Sequence, residues 1–152
     1  MRGRLIGIAR HVEPKGAMEA LDEAVISPGE GVRGDYRGSL KPGRNRGEVT
    51  VMTREAWSAA TGDVGRRDLE WWHRRANLLV EGVELPRAEG AMIRLSGGAV
   101  LEVTGETDPC FRMDAIVPGL QEALTPDWRG GVRTRVLSGG PIAVGDDVEC
   151  DE

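Results

Sequence analysis

Glycine sets the first limit on this chain. It occurs 22 times in 152 residues and is joined by eight prolines. These residues are spread along the whole length, with no glycine-rich tract or tail. A helix interior loses about 1 kcal/mol for each glycine and more for each proline. Few segments escape both for long enough to build a helical bundle. Short strands joined by tight turns suit this spacing.

The segments between breakers are mostly strand-like. Residues 3–9, 17–26, 48–52, 76–80, 132–137, 142–144 and 147–150 are predicted as strands. Met92–Leu95 and Ala99–Thr104 flank Ser96-Gly97-Gly98, the pattern of a hairpin with a glycine turn. Thr53 is placed to cap a short helix running from Arg54 to about Ala60, with Gly62 as its stop. Further helical turns are predicted at 68–72 and at 118–124, the latter opened by Pro118. Residues 35–47 form a loop, expected to be mobile. Seven to nine strands with two or three short helices predict a mainly β fold. The expected architecture is a closed or nearly closed β-barrel, a single domain over residues 1–152.

Charge narrows the function. The net charge is −5, which disfavours nucleic acid as a partner. No apolar run approaches the ~18 residues a membrane-spanning helix needs, and no secretory signal is visible. A cytoplasmic location is the expectation. Basic residues are nevertheless clustered. Residues 33–46 hold Arg33, Arg37, Lys41, Arg44 and Arg46 against Asp35 alone, and residues 129–135 hold Arg129, Arg133 and Arg135 with no acid. Arginine presents a planar fork of donors suited to phosphate or carboxylate.

Several chemistries are poorly supported. Gly29–Gly34 matches G-x-G-x-x-G, but no helical period follows it, so a dinucleotide site is not expected. The histidines, His11 and His73, and the cysteines, Cys110 and Cys150, are too few and too scattered for a zinc site. Lys15 and Lys41 sit beside glycine or proline, where no rigid apolar pocket would form around a Schiff base. No pyridoxal phosphate is expected on this chain.

Cys110 remains. It lies in Thr107-Asp108-Pro109-Cys110-Phe111-Arg112, with proline fixing the backbone before it and a guanidinium two residues on. The thiolate is the reactive form of cysteine, and neighbouring cations favour it. The competing reading is a small packed side chain with no chemistry. Cys150, among acids, is the weaker nucleophile because like charge opposes its ionisation.

Five pieces stand in order: Gly31-Val32-Arg33-Gly34-Asp35, Arg75 to Leu85, Pro109-Cys110, Arg129 to Leu137, and Gly140 to Asp146. Together they resemble the MOSC domain, the module at the C-terminus of molybdenum cofactor sulfurases, over about residues 3–149. The resemblance implies a β-barrel. It implies that Cys110 takes up sulfane sulfur as a persulfide for a metal–sulfur centre, or itself ligates molybdenum. A cysteine desulfurase is the implied sulfur donor, and a molybdoenzyme or other metal–sulfur enzyme the acceptor. The molybdenum cofactor, molybdopterin, is the implied ligand. For its phosphate the arginine candidates are Arg37, Arg75, Arg129 and Arg133, with the backbone N–H groups of Gly130 and Gly131 as an anion nest. Asp35 and Asn77 either contact the pterin or orient the arginines, or else stabilise a turn or bulge. Trp128 is a further candidate to line a pocket.

Two positions depart from the family pattern. Tyr36-Arg37 stands where many relatives have histidine soon after Gly-Asp. Arg75-Ala76-Asn77 stands where many have Gly-Glu-Asn. Two other functions stay open: a non-catalytic module holding an anion or an acidic partner loop with Cys110 merely packed, and a component of a molybdoenzyme reducing N-hydroxylated compounds. Monomer and homodimer are equally compatible with the sequence.

Overall fold

The apolar runs between glycines become short strands in a computed structural model covering residues 1–152. In chain order the strands are β1 (Arg2–Arg10), β2 (Glu19–Leu21), β3 (Glu23–Ser27), β4 (Gly31–Val32), β5 (Val49–Thr53), β6 (Leu78–Glu81), β7 (Met92–Leu95), β8 (Val100–Glu106), β9 (Val132–Ser138), β10 (Gly140–Ala143) and β11 (Asp147–Cys150). The helices are α1 (Arg54–Asp63), α2 (Arg112–Ile116) and α3 (Leu120–Leu124). The circuit β1-β11-β7-β8-β9-β5-β6 returns to β1, so seven strands close a barrel. Closure leaves no free edge among these strands. The small sheet β10-β3-β4 adds Ile26, Val32 and Ile142 to the barrel core.

Pairing around the barrel is antiparallel except between β5 and β6. A parallel pair needs a long crossover, and α1 lies within it. Alternation along these strands then serves two cores. Val49, Val51, Leu78 and Val80 point into the barrel with Leu5 and Ile8. Met52, Leu79 and Ala9 point outward and are covered by Trp57 of α1, Met113 of α2, and Leu120 and Leu124 of α3. This two-sided burial explains why residues 76–80 read as a continuous apolar run rather than an alternating one. On β9 only one face is covered. Val132, Thr134 and Val136 are buried while Arg133 and Arg135 are exposed.

β1 changes register between Leu5 and Gly7, which bends the strand from one partner to the next. A Cβ on Gly7 would meet the Trp71 ring at 2.7 Å. The missing side chain therefore lets the indole lie against the strand backbone.

Three sequence-based boundaries move. Thr53 does cap α1, its Oγ1 accepting from the Ala56 N–H at 3.1 Å. The helix passes through Gly62, however, and ends at Asp63, with Val64 as its C-cap just before left-handed Gly65 (φ +69°). The chain turns at Gly65, and the Arg66 N–H returns to the Thr61 carbonyl at 2.8 Å. The turn expected at 68–72 is a 3₁₀ helix at Trp71–Arg74. Helix α3 starts at Leu120 behind left-handed Gly119, so Pro118 precedes it rather than opening it.

Candidate functional site

Cys110 is exposed at the mouth of a cavity of about 560 Å³. The segment that carries it is tied down at several points. The Thr107 N–H donates to Gly131 O at 2.9 Å, and the Met113 N–H donates to Cys110 O at 2.9 Å. Arg74 Nη2 donates to Thr107 O at 2.8 Å. The thiol thus sits on a held backbone, open to solvent. That excludes the packed-cysteine reading.

Four arginines share the cavity wall with Cys110: Arg37, Arg74, Arg75 and Arg112. None of them forms a salt bridge. The one acid on the wall is Asp108. A protein of net charge −5 therefore carries a strongly cationic cavity. Arg74 is the extreme case, with only 8% of its surface exposed. Burial lowers its pKa below the ordinary guanidinium value, while Cys110 and Asp108 pull it back up. Arg75 is also lowered, first by partial burial and then by the neighbouring charge of Arg37.

Four buried side-chain polar atoms lack a hydrogen-bond partner: His11 Nδ1, Ser27 Oγ, Arg74 Nε and Thr107 Oγ1. Two of these belong to residues of the cavity wall. Leaving a buried donor unpaired costs about 1–3 kcal/mol, and more when the group is charged. These two atoms are sealed from solvent behind the wall, so what the cavity itself offers an anion is the charge of its four guanidinium groups.

Arg75 ends the 3₁₀ helix in the left-handed region, at φ +68°. Glycine adopts that conformation freely, whereas a side chain there is strained. Arg75 therefore places a cation on the cavity wall at a cost in backbone strain.

Of the other sequence candidates only Gly130 reaches this cavity, and each displacement has a physical reason. Asp35 is 2% exposed and accepts from the N–H groups of His11 (3.0 Å) and Gly38 (2.9 Å). It fastens the Arg37 loop to the end of β1. Asn77 is 5% exposed; its Oδ1 accepts from the Thr50 N–H (3.0 Å) and its Nδ2 donates to Ala9 O (3.1 Å). It bridges β5 and β1, so both residues occupy the turn-and-bulge side of the alternatives. Arg129 is drawn away to Asp63 (2.8 Å) and Ala123 O (2.9 Å). With Trp128 it lines a separate cleft of about 590 Å³ that holds no cysteine or histidine. Arg133 is on the outer face of β9, its guanidinium lying across Gly105. The Gly131 N–H is spent on Trp128 O at 2.9 Å, so a Gly130–Gly131 anion nest does not form. Gly130 alone lines the cavity, where a Cβ would meet Thr107 O at 2.5 Å and Arg74 Nη2 at 3.0 Å.

Sequence reasoning missed Arg74 and Thr107 as members of the site, and placed Arg112 beside Cys110 without assigning it to an anion-binding wall. The doublet Arg74-Arg75 ahead of a buried strand was the available signal, but only the turn geometry shows that Arg74 goes inward. Cys150 is buried, and its thiol is pushed up to about 11. Burial is the leading cause; the acids Asp151 and Glu149 act in the same direction with less weight. His11 is buried against Asp35, and burial holds its imidazole below the usual value.

Fold and site together define a small β-barrel with one accessible cysteine set in an arginine-walled cavity. The MOSC domain family model matches residues 39–149, and the chain belongs to that family, whose members are associated with the molybdenum cofactor. Among solved structures the chain resembles the YUAD protein from Bacillus subtilis, at 22% identity and a TM-score of 0.76, covering 97% of this chain and 94% of that one. It also resembles YiiM from Escherichia coli (14% identity, TM-score 0.71, 100% of this chain and 70% of that one). YiiM from Geobacillus stearothermophilus is a further neighbour (15% identity, TM-score 0.63, 99% and 73%). These identities speak for the fold. No curated protein matches. No helix is long and apolar enough to cross a membrane.

Proposed function

We propose that this protein is a sulfur-carrier module of molybdenum cofactor metabolism. Cys110 takes up sulfane sulfur as a persulfide and presents it to a metal–sulfur centre. The observation that carries this reading is an exposed cysteine facing four arginines without carboxylate partners, one of them buried. A persulfide is an anion, and guanidinium groups facing it stabilise its charge.

The residues present suit the phosphate end of a pterin cofactor. Arg37, Arg75 and Arg112 offer donors on the wall, and the cavity is within the size range of small-molecule sites. No cluster of three His, Cys, Asp or Glu side chains exists to hold a bare metal ion. Cys110 would be the one thiolate ligand offered to a metal delivered with its own pterin. The bound cofactor would supply the metal as sulfur acceptor. This chain would supply the sulfur atom, the anion-binding wall and a fixed backbone behind the thiol. A cysteine desulfurase as donor and a molybdoenzyme as acceptor fit this reading.

The test is intact-mass measurement after incubation with a cysteine desulfurase and cysteine. The wild type should gain the mass of one sulfur, removable by reductant, and Cys110→Ser should gain none. An unmodified wild-type mass under conditions that load a known acceptor would defeat the proposal.

A further inference from the structure

We infer that the cavity accepts sulfur directly from a small dianionic sulfur oxyanion, of which thiosulfate is the simplest. This rests on the carrier reading above and adds the chemical class of donor. Three observations support it. First, with Cys110 ionised, the wall holds four guanidinium groups against Asp108 and the thiolate, leaving two positive charges uncompensated. A dianion neutralises them; a neutral or cationic donor leaves them exposed to one another. Second, Arg37, Arg75 and Arg112 share the wall with the exposed Cys110 and none of them is paired with a carboxylate. A tetrahedral oxyanion offers several acceptor oxygens to such forks of donors. Third, Arg74 is nine-tenths buried beside the sulfur, where its charge is little screened by salt. A thiolate attacking a dianion meets like-charge repulsion, and guanidinium groups fixed around both relieve it in the transition state.

The step balances without an added oxidant or reductant. The Cys110 thiolate, its proton lost to solvent, attacks the outer sulfur of thiosulfate. The new bond joins Cys110 Sγ to that sulfur. The bond from that sulfur to the sulfonate sulfur breaks, and its electron pair leaves with sulfite. One trianionic total charge on the left, shared between thiolate and thiosulfate, becomes persulfide monoanion and sulfite dianion on the right.

The experiment incubates the reduced full-length protein with thiosulfate. It follows sulfite release and intact mass in a single turnover. The expected result is one sulfite per persulfide formed, nothing from Cys110→Ser, and slower reaction when sulfate, which has no sulfane sulfur, is added. Arg74→Gln should slow loading about 10–100-fold, the value of a charge-assisted hydrogen bond. Because Arg74 is buried, Arg75→Gly serves as the second variant, on exposed chain already in a glycine-like conformation. It should slow loading at least several-fold. Arg133→Gln, on the outer face of β9, should stay within twofold of wild type. Failure of wild type to release sulfite, with loading by desulfurase and cysteine intact, overturns the donor inference and leaves the carrier reading standing. Failure of both donors overturns both. Unchanged rates in folded Arg74→Gln and Arg75→Gly would overturn the account of the arginine wall.

Discussion

Replacing Arg75 with glycine separates stability from anion binding in one substitution. Arg75 sits at φ +68°, ψ 26°. A non-glycine L residue in this region carries about 1–2 kcal/mol of steric cost. Its guanidinium also faces the like charges of Arg37 and Arg112 across the cavity. Glycine removes both penalties. Against this, glycine adds freedom to the unfolded chain worth about 0.5–1 kcal/mol. The net expectation is a change between zero and about 1.5 kcal/mol in favour of the folded state. For a chain of this size that is a rise of up to about 3–6 °C in Tm. Anion affinity should move the other way. A partly exposed guanidinium contributes about 1–2 kcal/mol to holding a dianion, so the Kd for sulfate or phosphate should weaken about five- to thirtyfold. Urea denaturation gives the first quantity and isothermal titration calorimetry the second, both on the same preparation. A stability loss greater than about 1 kcal/mol would show that Arg75 holds the fold. An unchanged Kd would show that the cavity does not use its charge.

Two further predictions follow from the burial pattern. The Cys150 thiol has a folded value of about 11 against an ordinary 9.0, so stability present below pH 9 is lost as pH rises toward 11, by about 2–3 kcal/mol in all; Cys150→Ala should flatten that alkaline decline, and in native wild type iodoacetamide should label Cys110 alone. Asn77→Ala leaves the Thr50 N–H and Ala9 O without their side-chain partner, costing about 2–4 kcal/mol in urea denaturation; the folded variant should keep its sulfate Kd within twofold, and a large loss of affinity would return Asn77 to the binding site.

Much of the barrel was legible because strand formation depends on local punctuation. Gly97 and Gly98 mark the β7–β8 hairpin whatever surrounds it, and Val132, Thr134 and Val136 alternate because β9 has one covered face. The helix ends were less legible. Gly62 and Gly65 offer the same residue type, and only packing selects which one turns the chain. The site divides along the same line. Cys110 and its neighbour Arg112 are close in sequence, so their association was visible, as was the grouping of Arg37 with other cations.

The primary structure by itself determined a glycine-punctuated β architecture, a lone plausible nucleophile and a surplus of arginine. It did not determine which arginines meet that nucleophile. Arg129 and Arg133 lie in the same cationic stretch, yet an aspartate on α1 claims one and strand alternation turns the other outward. Arg74, one residue from an exposed neighbour, is carried inward by a single 3₁₀ turn and held there by Thr107 O. Side-chain direction at such places depends on long-range closure of the barrel, and so only the tertiary structure decides it.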